Sequence, residues 1–441
     1  MKRFIDTFVN IWKIEDLRAR ILTTLGLLLI YRMGSFIVLP GINSEILAAT
    51  AGEAQGIAAI INQFAGGAFS RASVFALGIM PYISASIVMQ LMGVAVPAIQ
   101  KMQKDGESGR KKMTQWTRIL TIIICALQAP AFIASQVPAE AVANPGIWFN
   151  ISSTLILITG TMFVMWLGER ITDKGIGNGI SMIIMIGIIA GLPTAFLFEV
   201  DSRLVSGAGG AVVLLLEMIF LLLVIVLSVL LVQGTRRIPV QFAKRIVGNK
   251  QYGGARQYIP LKVNAAGVMP IIFAQAIMFL PASLAGFGEG DSTSWLVTFS
   301  DPTGWVYNIT FAIVIILFTY FYTAITVNPN QMADDLKRNG GFVPGVKPGK
   351  KTAEFIDSVM SRITLPGSIF LAIVSILPAF AMIMNINTQF SYFFGGTSLL
   401  IMVGVTLDTL QQIESHLLMR HYDGLMKTGK IKGRSSVGMS A

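Results

Sequence analysis

The sequence predicts an all-α polytopic membrane protein with ten transmembrane helices. Three observations predict it. Of 441 residues, 54% are hydrophobic and only 13% are charged, where soluble globular chains carry about 25% charge. Ten apolar stretches reach the roughly 20 residues that a spanning helix needs. The 34 lysines and arginines fall almost entirely into alternate connections between those stretches.

The elements follow in order. Residues 1–20, "MKRFIDTFVNIWKIEDLRAR", interleave apolar and charged residues. They lack the pattern of a cleavable leader and read as an amphipathic helix on the membrane surface. Spans are expected near 21–39, 73–96, 117–137, 149–168, 177–198, 209–232, 264–286, 306–326, 364–384 and 397–415. The stretch "FAGGAFSRASVFALGIMPYISASI", 64–87, begins as a loop with Gly66, Gly67, Ser70 and Arg71 and ends as an apolar helix former. Cys125, the one cysteine, lies in an apolar run, so no internal disulfide forms. The 43 glycines suit close packing between spanning helices.

Orientation comes from charge. Thirty-one basic residues lie in alternate segments, two (Arg71 and Arg203) in the others, and Arg32 inside the first span. The positive-inside rule then puts both termini in the cytoplasm. It also accounts for the net charge of +11 without nucleic acid, so no direct DNA binding is expected. No GxxxxGK[ST] loop, metal-spaced His/Cys/carboxylate cluster or paired nucleophile and base occurs, so neither an enzyme nor a cofactor or metal is expected. Ion-coupled transporters carry ionisable groups in mid-membrane. Here those are Arg32, Glu217 and Asp408, none with an evident partner in sequence. A secondary solute transporter remains the alternative class.

Three stretches between spans are more than basic: "DGESGRKKMTQWTR" (105–118), "QGTRRIPVQFAKR" (233–245) and "GGFVPGVKPGKKTAEFIDSVMSRITLPGS" (340–368). With "GSFIVLPGI", "FALGIMPYISASI", "MWLGERITDKGIGNGIS", "YFYTA" and "YFFGGTSLLI", they resemble the SecY/Sec61-alpha family, the channel-forming subunits of the Sec protein translocase. The resemblance runs from the first span to the tail.

It implies two pseudo-symmetric five-helix halves, a clamshell around a central pore with a plug helix. The N-terminal half is 21–200, with the plug at 60–72. The C-terminal half is 201–415, with cytoplasmic loops 233–263 and 327–363, followed by a tail, 416–441. The hinge lies near 199–208. The implied function is a protein-conducting channel in the bacterial cytoplasmic membrane, open to lipid through a lateral gate between spans two and seven. The family's pore ring maps onto Ile79, Ile83, Ile180, Ile184, Ile272 and Ile401. A narrow apolar ring holds back ions by dewetting. Ile180 falls early in its span, which requires a funnel dipping toward the midplane.

The plug carries Phe64, Gly66, Gly67, Ser70 and Arg71, and an ordinary re-entrant loop reads the same residues equally well. Gln90, Gln128 and Asn264 are the gate amides, expected either to bond across the closed gate or simply to pack. Arg236, Arg237, Lys244, Arg245 and Lys347 are the docking cations, Lys347 standing where most bacterial relatives carry Arg. The partners implied are the SecE and SecG membrane subunits, the SecA ATPase, the ribosome, signal-sequence-bearing preproteins and membrane lipids.

Overall fold

A computed structural model describes residues 12, 14–50, 57–204, 210–242, 245–247, 250–252, 256–285, 301 and 303–427. Residues 1–11 of the expected surface helix, residues 428–441 of the tail and the hinge residues 205–209 lie outside them.

The elements are α1 (Glu15–Gly34), α2 (Ser44–Thr50), α3 (Ile57–Phe64), α4 (Met80–Ala95), α5 (Pro97–Lys104), α6 (Gly106–Gln136), α7 (Ile147–Lys174), α8 (Gly179–Leu204), α9 (Gly210–Gln233), β1 (Thr235–Phe242), β2 (Arg245–Val247), β3 (Lys250–Tyr252), β4 (Arg256–Lys262), α10 (Met269–Ala285), α11 (Trp305–Thr326), α12 (Pro329–Arg338), β5 (Gly341–Phe342), α13 (Lys350–Ile383), α14 (Thr388–Ser391) and α15 (Gly396–Lys427). Among the described residues, each expected span holds one long helix: α1, α4, α6, α7, α8, α9, α10, α11, α13 and α15 in turn. By length and composition alone, six helices among the described residues can cross a membrane, or up to seven if the bent pair α4–α5 counts as one.

The second expected span is shorter than its apolar run. Residues 65–79 form turns, and α4 starts only at Met80. Gly78 at φ +55° breaks regular backbone, and a proline sits in the first turn of α4. The irregular segment is lined by protein: Leu39 N–H donates to Ala72 O (3.0 Å) and Val74 N–H to Ile37 O (2.9 Å). Buried, satisfied backbone of this kind is tolerated at membrane depth. Val96 is extended ahead of Pro97, as a residue before proline prefers, and the chain turns by 104° into α5.

The expected loop 233–263 holds strands. β1 lies between β4 and β5, antiparallel to both. Ile238 and Val240 point inward from β1 onto Leu261, Val343, Ile356 and Met360, while Arg236 and Arg237 face out. Pro239 is tolerated because β5 reaches only Gln241 and Phe242. The expected tail, 416–441, begins as helix, since α15 runs on to Lys427.

One packing order occurs twice. In the first five long helices, α4 packs on α6, α6 on α7, α7 on α8, and α1 on α8. In the second five, α10 packs on α11, α11 on α13, α13 on α15, and α9 on α15. Among the described residues, the helices of the two runs meet mainly at two interfaces. One is α4 against α10, and the other is α8 against α9, α14 and α15.

Candidate functional site

Position along α8 locates the site. Ser181, with Asn178 just before the helix, faces a cavity of about 310 Å³. One turn on, Ile184 lines a space of only about 10 Å³. Beyond it, Gly187, Gly191 and Thr194 face a second cavity of about 380 Å³. Helix α15 repeats the order, with Asp408 and Val405 in the first cavity and Ile401 in the narrow space. The molecule therefore has two polar-lined vestibules joined by an apolar neck.

The neck is lined by Ile83 from α4, Ile184 from α8, Ile272 from α10 and Ile401 from α15, with Phe64, Met80 and Gln275. All four isoleucines are at most 6% exposed. Its volume matches roughly one water, and such a constriction excludes hydrated ions. Each five-helix run supplies two of the four isoleucines. Of the other two expected ring residues, Ile79 is buried in the same apolar cluster just before α4. Ile180 is half-buried against α7: a methyl added at Gly168 would lie 3.1 Å from its Cγ1. Met80 and Gln275 were not expected. Each stands three residues from a neck isoleucine on the same helix, a spacing that shares a face.

The segment before α4 seats against this neck. Helix α3 ends at Phe64, and Gly66 (φ +63°) and Gly67 (φ +83°) turn the chain back through conformations that favour glycine. Gly66 O accepts from Arg32 Nη1 (3.1 Å) and Arg71 Nη2 (3.0 Å). Both guanidinium groups also lie over the Phe36 ring, at 5.5 and 4.4 Å from its centre. Ser398 on α15 donates to Gln63 Oε1 (2.8 Å), and Asn62 Oδ1 accepts from Ser70 N–H (3.0 Å). Gly187 allows the approach, since a side chain there would collide with the Phe64 carbonyl. Beneath the polar face, Phe69 meets Phe132 edge-on at 4.8 Å.

At the α4–α10 interface the amides do not pair across. Gln90 Nε2 donates to Ser86 Oγ within its own helix (3.4 Å). The buried Gln128 Oε1 and Asn264 Oδ1 have no hydrogen-bond partner, and Asn264 borders the vestibule of about 310 Å³. Arg236, Arg237 and Lys347 are exposed, and among the described residues none pairs with a carboxylate. Arg245 lies in β2, and Lys244 lies outside the described residues.

Glu217, without an evident partner in sequence, has one in space. Arg203 Nη2 pairs with Glu217 Oε1 and Arg203 Nε with Glu199 Oε1, both at 2.7 Å.

The long helices of the described residues, two vestibules and a closed apolar neck are those of a multi-pass channel of the membrane. The SecY family model matches residues 73–410. The protein translocase subunit SecY of Mycobacterium tuberculosis is 43% identical over 446 residues, covering 96% of this chain and all of the relative. That of Escherichia coli is 43% identical over 428 residues, covering 95% and 96%. The chain belongs to the SecY family. Two solved structures share its fold at 18% identity, each covering 94% of this chain and 95% of the other. One is described as a protein conducting channel (TM-score 0.64). In the other (TM-score 0.60), the plug domain of SecY stabilises the closed state and maintains a membrane seal.

Proposed function

We propose that the neck is where a protein-conducting channel of this family closes, and that unfolded secretory polypeptides pass through it. The observation that carries this reading is the set of four isoleucines, two from each run, between two polar-lined vestibules. Side chains without polar groups seal by exclusion of water and yield to any residue type, which a ring of charges does not. All ten long helices span the membrane, in two halves hinged near 199–208, with both termini in the cytoplasm. The vestibule beside Asn264 is then the cytoplasmic one. Residues 60–72 are the plug, and transmembrane segments leave sideways between α4 and α10. The apolar character of that interface supports a gate.

No motor motif occurs in the chain, so work comes from partners. The exposed, unpaired Arg236, Arg237 and Lys347 present charge to SecA or to ribosomal RNA phosphates, and SecE and SecG complete the membrane complex. The reading is tested in vesicles holding the purified complex. With SecA, ATP and a signal-bearing preprotein, the preprotein becomes protected from added protease. No protection, with small-solute counterflow in its place, overturns it.

A further inference from the structure

The interface of α8 with α9 holds a buried ion cluster that the pore does not use. Arg203, on the last turn of α8, bonds Glu199 one turn back and Glu217 on α9. Its Nη2 also donates to Asn385 O (3.0 Å), and Asn387 N–H donates to Glu199 Oε2 (2.9 Å). All three side chains are 7% exposed or less. Glu199 and Arg203 belong to the first five-helix run. Glu217, Asn385 and Asn387 belong to the second. Every bond except the one within α8 therefore crosses between runs.

Helix α9 makes the contact specific. It is the most apolar of the six helices that can span on their own, and the least buried. Its few buried side chains are Glu217, Val224 and Ser228, which share one face. A carboxylate there is held by a partner and not by solvent.

We propose that Arg203 is a positioning residue that pins the two runs together at the α8–α9 interface, so that the bundle yields at α4–α10. The inference rests on the channel reading above. Its physical basis is the neck: two of its isoleucines move with each run, so slack at either interface widens it. Paired ions resist separation because parting them leaves charge buried and unpaired. Among the described residues, the α4–α10 interface has no such pair. Arg203 thus sets how hydrophobic a signal must be to open the channel without touching the passing chain.

The test compares three variants of the full complex in vesicles. Glu217→Leu removes the bond across the interface and leaves the Glu199–Arg203 pair on α8 intact. Glu217→Gln keeps an acceptor for Arg203. Arg203→Lys keeps the charge but lacks the fork that serves both carboxylates. Resting ion conductance and transport across a graded signal-peptide series are read, with thermal melting as the control for folding. Glu217→Leu is expected to raise resting conductance several-fold and to pass signals that the wild type rejects. Arg203→Lys should do so to a smaller extent, and Glu217→Gln should match the wild type.

Wild-type conductance and signal threshold in Glu217→Leu overturn the proposal. So does a lowered melting temperature with no change in either readout in the folded fraction. If Glu217→Leu is degraded, Arg203→Lys decides by the same readouts. A wild-type complex that fails to transport a strong-signal preprotein would instead remove the channel reading itself.

Discussion

The two interfaces between the five-helix runs are built from different chemistry. At α8–α9 and α8–α14, charged and backbone groups join the runs through Glu199, Arg203, Glu217, Asn385 and Asn387. In the turn just before α8, Gly177 N–H bonds Gln412 Oε1 of α15 at 2.8 Å. At α4–α10 the contact is apolar, and the amide oxygen of Asn264, just ahead of α10, is unpaired. Burial of apolar surface holds both interfaces together, but it is non-directional. Apolar faces that slide apart and meet a signal helix or lipid keep most of their gain. Ion pairs that part lose theirs at once. A molecule that must open on one side only needs this asymmetry more than it needs a strong interface.

The sharpest way to break the comparison is to strand charge on the polar side. Arg203→Met leaves Glu199 and Glu217 buried without a cation. Removing one partner of a buried pair costs about 3–5 kcal/mol, so a lower melting temperature and faster proteolysis are expected. Wild-type melting would place the cluster in water and remove the contrast.

Next in size is Gly187→Leu, which drives a side chain into the Phe64 carbonyl. Overpacking costs roughly 1–3 kcal/mol, and this strain falls on the seated segment and not on either interface. Raised single-channel conductance with all ten helices still inserted is the expected outcome. Unchanged conductance would show that residues 60–72 seal nothing.

Arg32→Gln sharpens the picture further. It removes one of two cationic donors to Gly66 O. Hydrogen bonds to charged groups contribute about 1.5–3 kcal/mol, but Arg71 still serves the carbonyl, so the lower end applies. Signal stringency should relax by less than in Gly187→Leu. An effect as large would mean that Arg71 does not compensate.

The smallest effect is expected at Asn264→Leu. Its Oδ1 is buried and unpaired, so the change relieves a desolvation penalty of about 1–3 kcal/mol, partly offset by the loss of shape. The closed state should gain, and the hydrophobicity needed to open the gate should rise. A lower threshold would show that Asn264 finds a partner during gating.

Helix placement was legible in the sequence because a spanning helix is specified by apolar length alone, and a long helix stands at each of the ten stretches. The start of α4 was not legible. Hydropathy counts residues 73–79 as apolar but takes no account of a glycine at positive φ or a proline in the first turn. The strand "TRRIPVQF" was hidden for the opposite reason. Its charges marked a loop, while the alternation of Ile238 and Val240 marked a buried face. The resemblance supplied Ile83, Ile184, Ile272 and Ile401, which share the neck, since nothing local separates them from any other isoleucine in an apolar helix. Arg203 and Glu217 are fourteen residues apart on different helices, a pairing that no helical spacing predicts.

The narrowness of the neck has an electrical consequence. Two polar-lined spaces of about 310 and 380 Å³ flank an apolar one of about 10 Å³. Water in the larger spaces conducts, so little voltage is lost across them. Nearly the whole membrane potential then drops over the length of a few side chains. An elementary charge crossing 100 mV gains or loses about 2.3 kcal/mol, and here it does so in one short step. A polypeptide threaded through the neck is therefore pushed or held at each charged residue as that residue passes the isoleucines, while its neutral stretches feel almost no field.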